Sequence, residues 1–268
     1  MEPFYALLLL LMHAAGPIIG LNNSAEIKCI ERERQALLNF KHGLIDAYDM
    51  LSTWRDDENS TDCCKWKGIR CDHITAHVTI LRLRGSNPQS RFFRGAVKIT
   101  SLFALQNIQH LDLSYNSFVG SHIPQLIASL TNLRYLNLSF SASSGSIPVQ
   151  LGSLTHLRTL DLSNNAFLCG EIPYQLGNLI RLRYLDLSNN FLDGELPYRL
   201  ANLSQLRHLD LSQNSLSGAL PFQVGNLPFL HTLRLPGNFD VKPKDAKWLS
   251  NLSSLTHLAF KAKRVDPS

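Results

Sequence analysis

Methionine is scarce in this chain, with 3 in 268 residues, cysteine is limited to 5, and charged residues make up only 18%. Each shortage excludes something. Beyond the first 20 residues no run approaches the roughly 20 apolar residues that a membrane-spanning helix needs, so no membrane span is expected. There is no C-x-x-C pair, no glycine-rich phosphate loop and no nucleophile elbow, which leaves neither a metal site nor a cofactor nor catalysis to expect. The formal charge of +5 suits acidic partners such as pectic polysaccharide or acidic protein faces. Basic residues read as scattered (Arg82, Arg84, Arg91, Arg94, Lys98; Lys242, Lys244, Lys247; Lys261, Lys263, Arg264) without interleaved aromatics, which argues against nucleic acid.

What the chain does have is a leucine pattern that returns every 24 or 25 residues, at Leu111, Leu136, Leu160, Leu185, Leu209, Leu233 and Leu258. A fixed period of this length means one supersecondary unit stacked many times. The fold class predicted is an α/β solenoid with a parallel β-sheet on its concave face. In Leu206-Arg-His-Leu209-Asp-Leu211 the leucines point inward while His208 and Asp210 point outward, by the two-residue alternation of a strand. Asn116, Asn165, Asn190, Asn214 and Asn238 follow the strands and can satisfy backbone groups at the exit turn. Ser141 stands where an asparagine is due, so that coil is expected to be looser. The second half of the repeat carries Gly-x-Ile/Leu-Pro, suited to an extended edge or the first turn of a short helix.

Residues 1–20 read as a leader, with an apolar run from Phe4 to Ala15 and cleavage after Gly20 or Ala25. Sequons at Asn22, Asn59, Asn137, Asn202 and Asn251 agree with an extracellular, secreted location. Four cysteines, Cys29, Cys63, Cys64 and Cys71, lie before the repeats and read as a disulfide-stapled cap over residues 26–75. Adjacent Cys63 and Cys64 would make a strained ring, which leaves Cys29–Cys63 with Cys64–Cys71, or the crossed alternative. Between them, Ile30 to Gly43 reads as an amphipathic helix with Ile30, Leu37 and Leu44 on one face, and Trp54 and Trp66 are expected to pack on it. The repeats then fill residues 76–268, ending without a second cap, and Cys169 is an odd thiol.

Gly-x-Ile-Pro inside a 24-residue leucine-rich repeat resembles the plant-specific subclass of such repeats. The cap, from Cys29 through Glu33-Arg-Gln-Ala-Leu-Leu-Asn-Phe-Lys41 to Asp62-Cys-Cys-Lys-Trp66-Lys-Gly-Ile-Arg-Cys71, resembles the plant leucine-rich-repeat amino-terminal domain. The combination is similar to receptor-like proteins of the class that includes fungal xylanase receptors. That resemblance implies the uncrossed disulfide pairing. It also implies a cell-surface recognition module that binds a protein, peptide or oligosaccharide ligand and relies on a co-receptor kinase. The alternatives are a secreted protein like the polygalacturonase inhibitors, which blocks microbial wall-degrading enzymes, or a truncated receptor fragment.

The outward columns of the sheet are the expected binding surface. One column runs His110, Tyr135, Thr159, Tyr184, His208, Thr232, then His257, and its Tyr and His content fits interface composition. The next runs Asp112, Asn137, Asp161, Asp186, Asp210, Arg234, where aspartate belongs to the repeat pattern and is expected to order the sheet through local hydrogen bonds. His208 and His257, two strands apart and roughly 10 Å from each other, are too distant to share a metal.

Overall fold

A computed structural model describes residues 28–57, 61–86, 92–95, 99–218, 222–237, 239 and 248–259. The leader, Asn22, Asn59, Asn238 and the basic residues after position 240 lie outside these described residues.

The described residues open with helix α1 (Glu31–His42), whose first turn holds Glu31 and Glu33 and whose last holds Lys41 and His42, favourable at both ends of the helix dipole. Gly43 caps it, its N–H reaching back to the last carbonyls. Leu37, Leu38 and Phe40 are buried on its inner face, while Ile30 and Leu44, placed on the same face by the sequence, stay half-exposed at its ends. Trp54 and Trp66 stack on each other at 5.4 Å and close the cap core. Cys29 is bridged to Cys63 and Cys64 to Cys71, the uncrossed pairing. Glu33 does more than favour the dipole. It is buried and accepts the backbone N–H of Val78 at 2.6 Å and bonds His77 Nδ1 at 2.8 Å, tying cap to first coil.

Strands β1 (Ile69–Cys71) and β2 (Val78–Arg82) pair antiparallel. From β2 onward the sheet is parallel: β3 (His110–Asp112), β4 (Tyr135–Asn137), β6 (Thr159–Asp161), β8 (Tyr184–Asp186), β10 (His208–Asp210), β11 (Thr232–Arg234) and β12 (His257–Ala259). All eight parallel strands align leucine to leucine or to its equivalent. One coil cannot bury its own leucines; stacked, Leu111, Leu136, Leu160, Leu185, Leu209 and Leu233 lose all solvent contact. Leu258 in β12 remains 43% exposed.

A second parallel sheet comprises β5 (Ser144–Gly145), β7 (Phe167–Glu171) and β9 (Phe191–Asp193). Its strands lead into the Gly-x-Ile/Leu-Pro segments. Each proline that follows is extended and caps a short 3₁₀ helix that begins one residue later, as in Val149–Ser153, Tyr174–Asn178 and Tyr198–Asn202, so the extended reading holds and the proline lies just outside the first turn. These helices stack along the outer side, so closely at Gly152 and Gly177 that no β-carbon fits, although Ala201 holds the equivalent place in Tyr198–Asn202. A β-carbon on Gly152 would stand 2.4 Å from the Gln175 carbonyl oxygen, and one on Gly177 2.3 Å from that of Arg199.

The asparagine ladder carries the turn between the two sheets. Asn190 donates to the carbonyls of Leu162 (3.0 Å) and Leu187 (2.8 Å), one in its own coil and one in the coil before. Its Oδ1 accepts the N–H of Asn165 in that preceding coil at 2.8 Å. The coil at Ser141 departs from expectation. It is not loose: Ser141 is fully buried, its hydroxyl donates to the Leu138 carbonyl, and Asn165 accepts the N–H groups of both Ser141 (3.1 Å) and Ser143 (3.0 Å). The next asparagine in the ladder accepts from two N–H groups of this coil and so takes over part of the missing amide's work.

Candidate binding surface on the concave sheet

Register brings the predicted first column together in full. His110, Tyr135, Thr159, Tyr184, His208, Thr232 and His257 are successive cross-strand neighbours. Within it the rings pair. His110 and Tyr135 stack at 4.0 Å with planes 6° apart, and Tyr184 and His208 at 4.3 Å and 6°. Burial holds both imidazoles below their ordinary value, with the Arg82 charge adding to the effect at His110, so neutral rings face the tyrosines near neutral pH. Burial first, and then the charges of Asp186 and Asp161, push the Tyr184 phenol upward.

The second column is structural as well as chemical. Asp112, Asp161, Asp186 and Asp210 each accept, through one oxygen, the N–H and hydroxyl of the serine two residues on. Asn137 does the same for Ser139, at 2.8 and 2.7 Å. These bonds fix the strand exit and leave the second carboxylate oxygen for other partners: the Asn137 amide at Asp161, the Tyr184 hydroxyl at Asp186. Arg234 pairs with the outer oxygen of Asp210 at 3.2 Å.

The structure corrects the glycosylation reading at Asn137. Its side chain is only 6% exposed, and the amide that a glycan would occupy donates to Tyr135 Oη and Asp161 Oδ2, both at 3.2 Å. Asn202 and Asn251 are exposed at their sequons. Cys169 is an exposed free thiol in β7.

Two features escaped the linear sequence. Arg134, Arg158, Arg183 and Arg207 precede the strands by one residue, and stacking aligns them into an exposed basic column beside the aromatic one. Twenty-four or 25 residues apart in the chain, they look unrelated until the period is folded. The second is that potential ligand atoms of Asp186, His208 and Asp210 lie within 4.8 Å of one another, while His208 Nε2 is buried without a hydrogen-bond partner. Considering histidine pairs alone misses this mixed trio. Two of its members are already engaged, Asp186 by the Tyr184 hydroxyl at 3.1 Å and Asp210 by Arg234.

Asp161 lends itself to a pH test. Burial is the main cause raising its pKa above 3.8, reinforced by Asp186 and Asp112, so the folded state holds this proton more tightly than the unfolded chain. Ionised Asp161 therefore costs stability, a cost absent below pH 3.8 that grows as pH rises to the raised value and is full above it. Asp161→Asn is expected to raise the melting temperature at pH 7, with the gain shrinking toward pH 3. Asn137 already fills the equivalent place with the same serine bonds. Melts of both proteins across that range check the sign; a gain independent of pH would contradict it.

Parallel strands in register, an asparagine-lined turn, a second sheet and a disulfide-stapled cap define a leucine-rich-repeat solenoid of plant type. Residues 30–72 match the family described as "Leucine rich repeat N-terminal domain", and residues 107–130, 156–179, 181–203 and 205–227 match "Leucine Rich Repeat". Receptor-like protein EIX1 of Solanum lycopersicum is 50% identical over 146 residues, covering 51% of this chain and 14% of that protein. Receptor-like protein EIX2 of the same plant is 48% identical over 128 residues, or 46% of this chain and 12% of that one. The chain carries a leucine-rich-repeat N-terminal domain followed by leucine-rich repeats, is similar to these plant receptor-like proteins, and spans a small part of their length. Among solved structures, the PEPR1–AtPEP1 crystal structure superposes with a TM-score of 0.76 at 29% identity, over 87% of this chain and 32% of that one. The Arabidopsis receptor kinase HAESA, in complex with the peptide hormone IDA and the co-receptor SERK1, gives 0.59 at 26% identity, over 87% and 46%.

Proposed function

We propose that this chain is an extracellular recognition segment of a plant cell-surface receptor-like protein, and that its concave sheet binds a protein or peptide ligand. The observation that carries this is the contrast between neighbouring columns. The leucines and the Asp-to-Ser bonds repeat from strand to strand, whereas His110, Tyr135, Thr159, Tyr184, His208 and Thr232 change chemistry while sharing one rigid register. Repetition answers to packing; variation on a rigid, accessible face answers to a partner.

In this reading residues 1–20 direct secretion, residues 26–75 cap the array and residues 76–268 present the surface. Asn202 and Asn251 accept glycans away from it. The chain binds rather than catalyses: its carboxylates are tied to serines, and the work of signalling falls to a co-receptor kinase. Its place is the apoplast or the outer face of the plasma membrane.

The test is a binding screen of the glycosylated, secreted chain against microbial wall-degrading enzymes and their peptides. Parallel runs use a variant with His110, Tyr135, Tyr184 and His208 all changed to alanine. A partner bound by the parent and lost by a variant that melts as a folded protein supports the reading. A partner retained in full by that variant would move recognition to another surface.

A further inference from the structure

The paired rings leave a gap between them. Tyr135, Thr159 and Tyr184 are cross-strand neighbours, and each tyrosine has one face covered by its histidine. The opposite faces look along the sheet toward Thr159, whose side chain is too short to fill the space. Two strand spacings separate the tyrosines, roughly 9.6 Å, so a group centred over Thr159 lies roughly 4.8 Å from each ring. That is inside the reach of about 6 Å over which a cation is drawn to an aromatic face. The rings are anchored: Tyr135 Oη accepts from the Asn137 amide at 3.2 Å, and Tyr184 Oη donates to Asp186 Oδ2 at 3.1 Å.

Charge then selects the occupant. Asp161 lies two residues past Thr159 on the same strand and face, its outer oxygen accepting only the Asn137 amide. Among the described residues Asp210 has Arg234 as an ion pair, whereas Asp112, Asp161 and Asp186 have none. The arginine column stands at the opposite ends of the strands, so a positive group is driven toward the aspartate side. Arg82, in register with Asp112, and Arg84, over the Tyr115 ring, stand toward β2 and β3, so within the gap itself Asp161 and Asp186 are carboxylates without an ion pair among the described residues.

We propose that the gap between Tyr135 and Tyr184 is a cage for one basic side chain, lysine or arginine, of a protein or peptide ligand, with its charge held on the Asp161 side. This rests on the concave-face reading above and narrows it to a ligand chemistry. Arg134, Arg158 and Arg183 lie alongside, so the best ligand flanks its basic residue with acidic ones.

The experiment is an NMR titration of the full secreted chain with two end-blocked tripeptides, Gly-Lys-Gly and its uncharged norleucine counterpart. The lysine peptide is expected to bind roughly fivefold or more tightly than the norleucine one, and less well as salt is added. Tyr135→Leu and Tyr184→Leu should each weaken it severalfold, whereas Tyr184→Phe keeps the ring and keeps the binding. Asp161→Asn should weaken it while the fold becomes no less stable, a readout that a merely structural role would not produce. Equal binding of the two peptides, or full binding to both leucine variants, overturns the cage. So does a charge-dependent signal lost only in His208→Ala, which would put the cation at the Asp186–His208–Asp210 cluster instead. Failure of the cage beside a partner still lost in the four-alanine variant would leave concave-face recognition standing.

Discussion

Replacing Asn165 by alanine is expected to cost roughly 3–5 kcal/mol, more than the same change at the other described asparagines of the ladder. The residue is fully buried. Its amide donates to the carbonyls of Leu138 and Leu162, both at 2.9 Å, and its oxygen accepts from Ser141 N and Ser143 N. Alanine would strand donors and acceptors in two coils at once, and each buried orphan costs about 1–3 kcal/mol. Asn190→Ala removes one accepted N–H rather than two, that of Asn165 itself. Urea melts of the two variants decide the matter. Equal losses would mean that Ser141 carries its coil unaided and that Asn165 does not serve for both.

The second large effect concerns the cap. Removing the Cys29–Cys63 bridge as a double serine variant should cost about 2–5 kcal/mol and lower secretion sharply. Cys63 has no solvent contact and belongs to the continuous apolar core, so a serine hydroxyl there is buried among apolar side chains as well. The bridge spans 34 residues, against 7 for Cys64–Cys71. The chain-entropy argument makes the longer closure worth about 1.4 kcal/mol more, which orders the two double variants. Secretion yield and melting temperature measured side by side test that order. A Cys64/Cys71 variant that suffers more would show that local geometry around the double cysteine outweighs loop length.

Asp161 links stability to recognition. Burial penalises its charge, and the neighbouring coil shows that asparagine can replace it in the serine bonds. The proposed cage gives that charge a use outside the fold, so Asp161→Asn separates the two roles by leaving stability equal or higher while weakening lysine binding.

How far the sequence speaks depends on the range of the interaction. Strand positions, inward leucines, the proline-started turns, the cap helix and its Gly43 stop all follow from periods of two to four residues or from local backbone chemistry. Leu111, Leu136, Leu160, Leu185, Leu209 and Leu233 are buried as the period predicts. The two readings that failed, a loose coil at Ser141 and an accessible Asn137, failed for one reason. Each took a residue's neighbours along the chain as its surroundings. Asn165 satisfies Ser141 from 24 residues away, and Asp161 ties down Asn137 across the same distance.

By itself the sequence determined the architecture: the 24- to 25-residue period, the plant-type repeat and the cap with its four cysteines. Tertiary structure alone decided the surface. Which rings stack, which carboxylates go unpaired and which arginines form a column are set by the register of adjacent coils. Register places residue i about 4.8 Å from its counterpart one repeat later, a distance that sequence separation conceals. Core leucines need only to be apolar and in phase. A binding face requires particular side chains to meet, and that happens only once the coils are stacked.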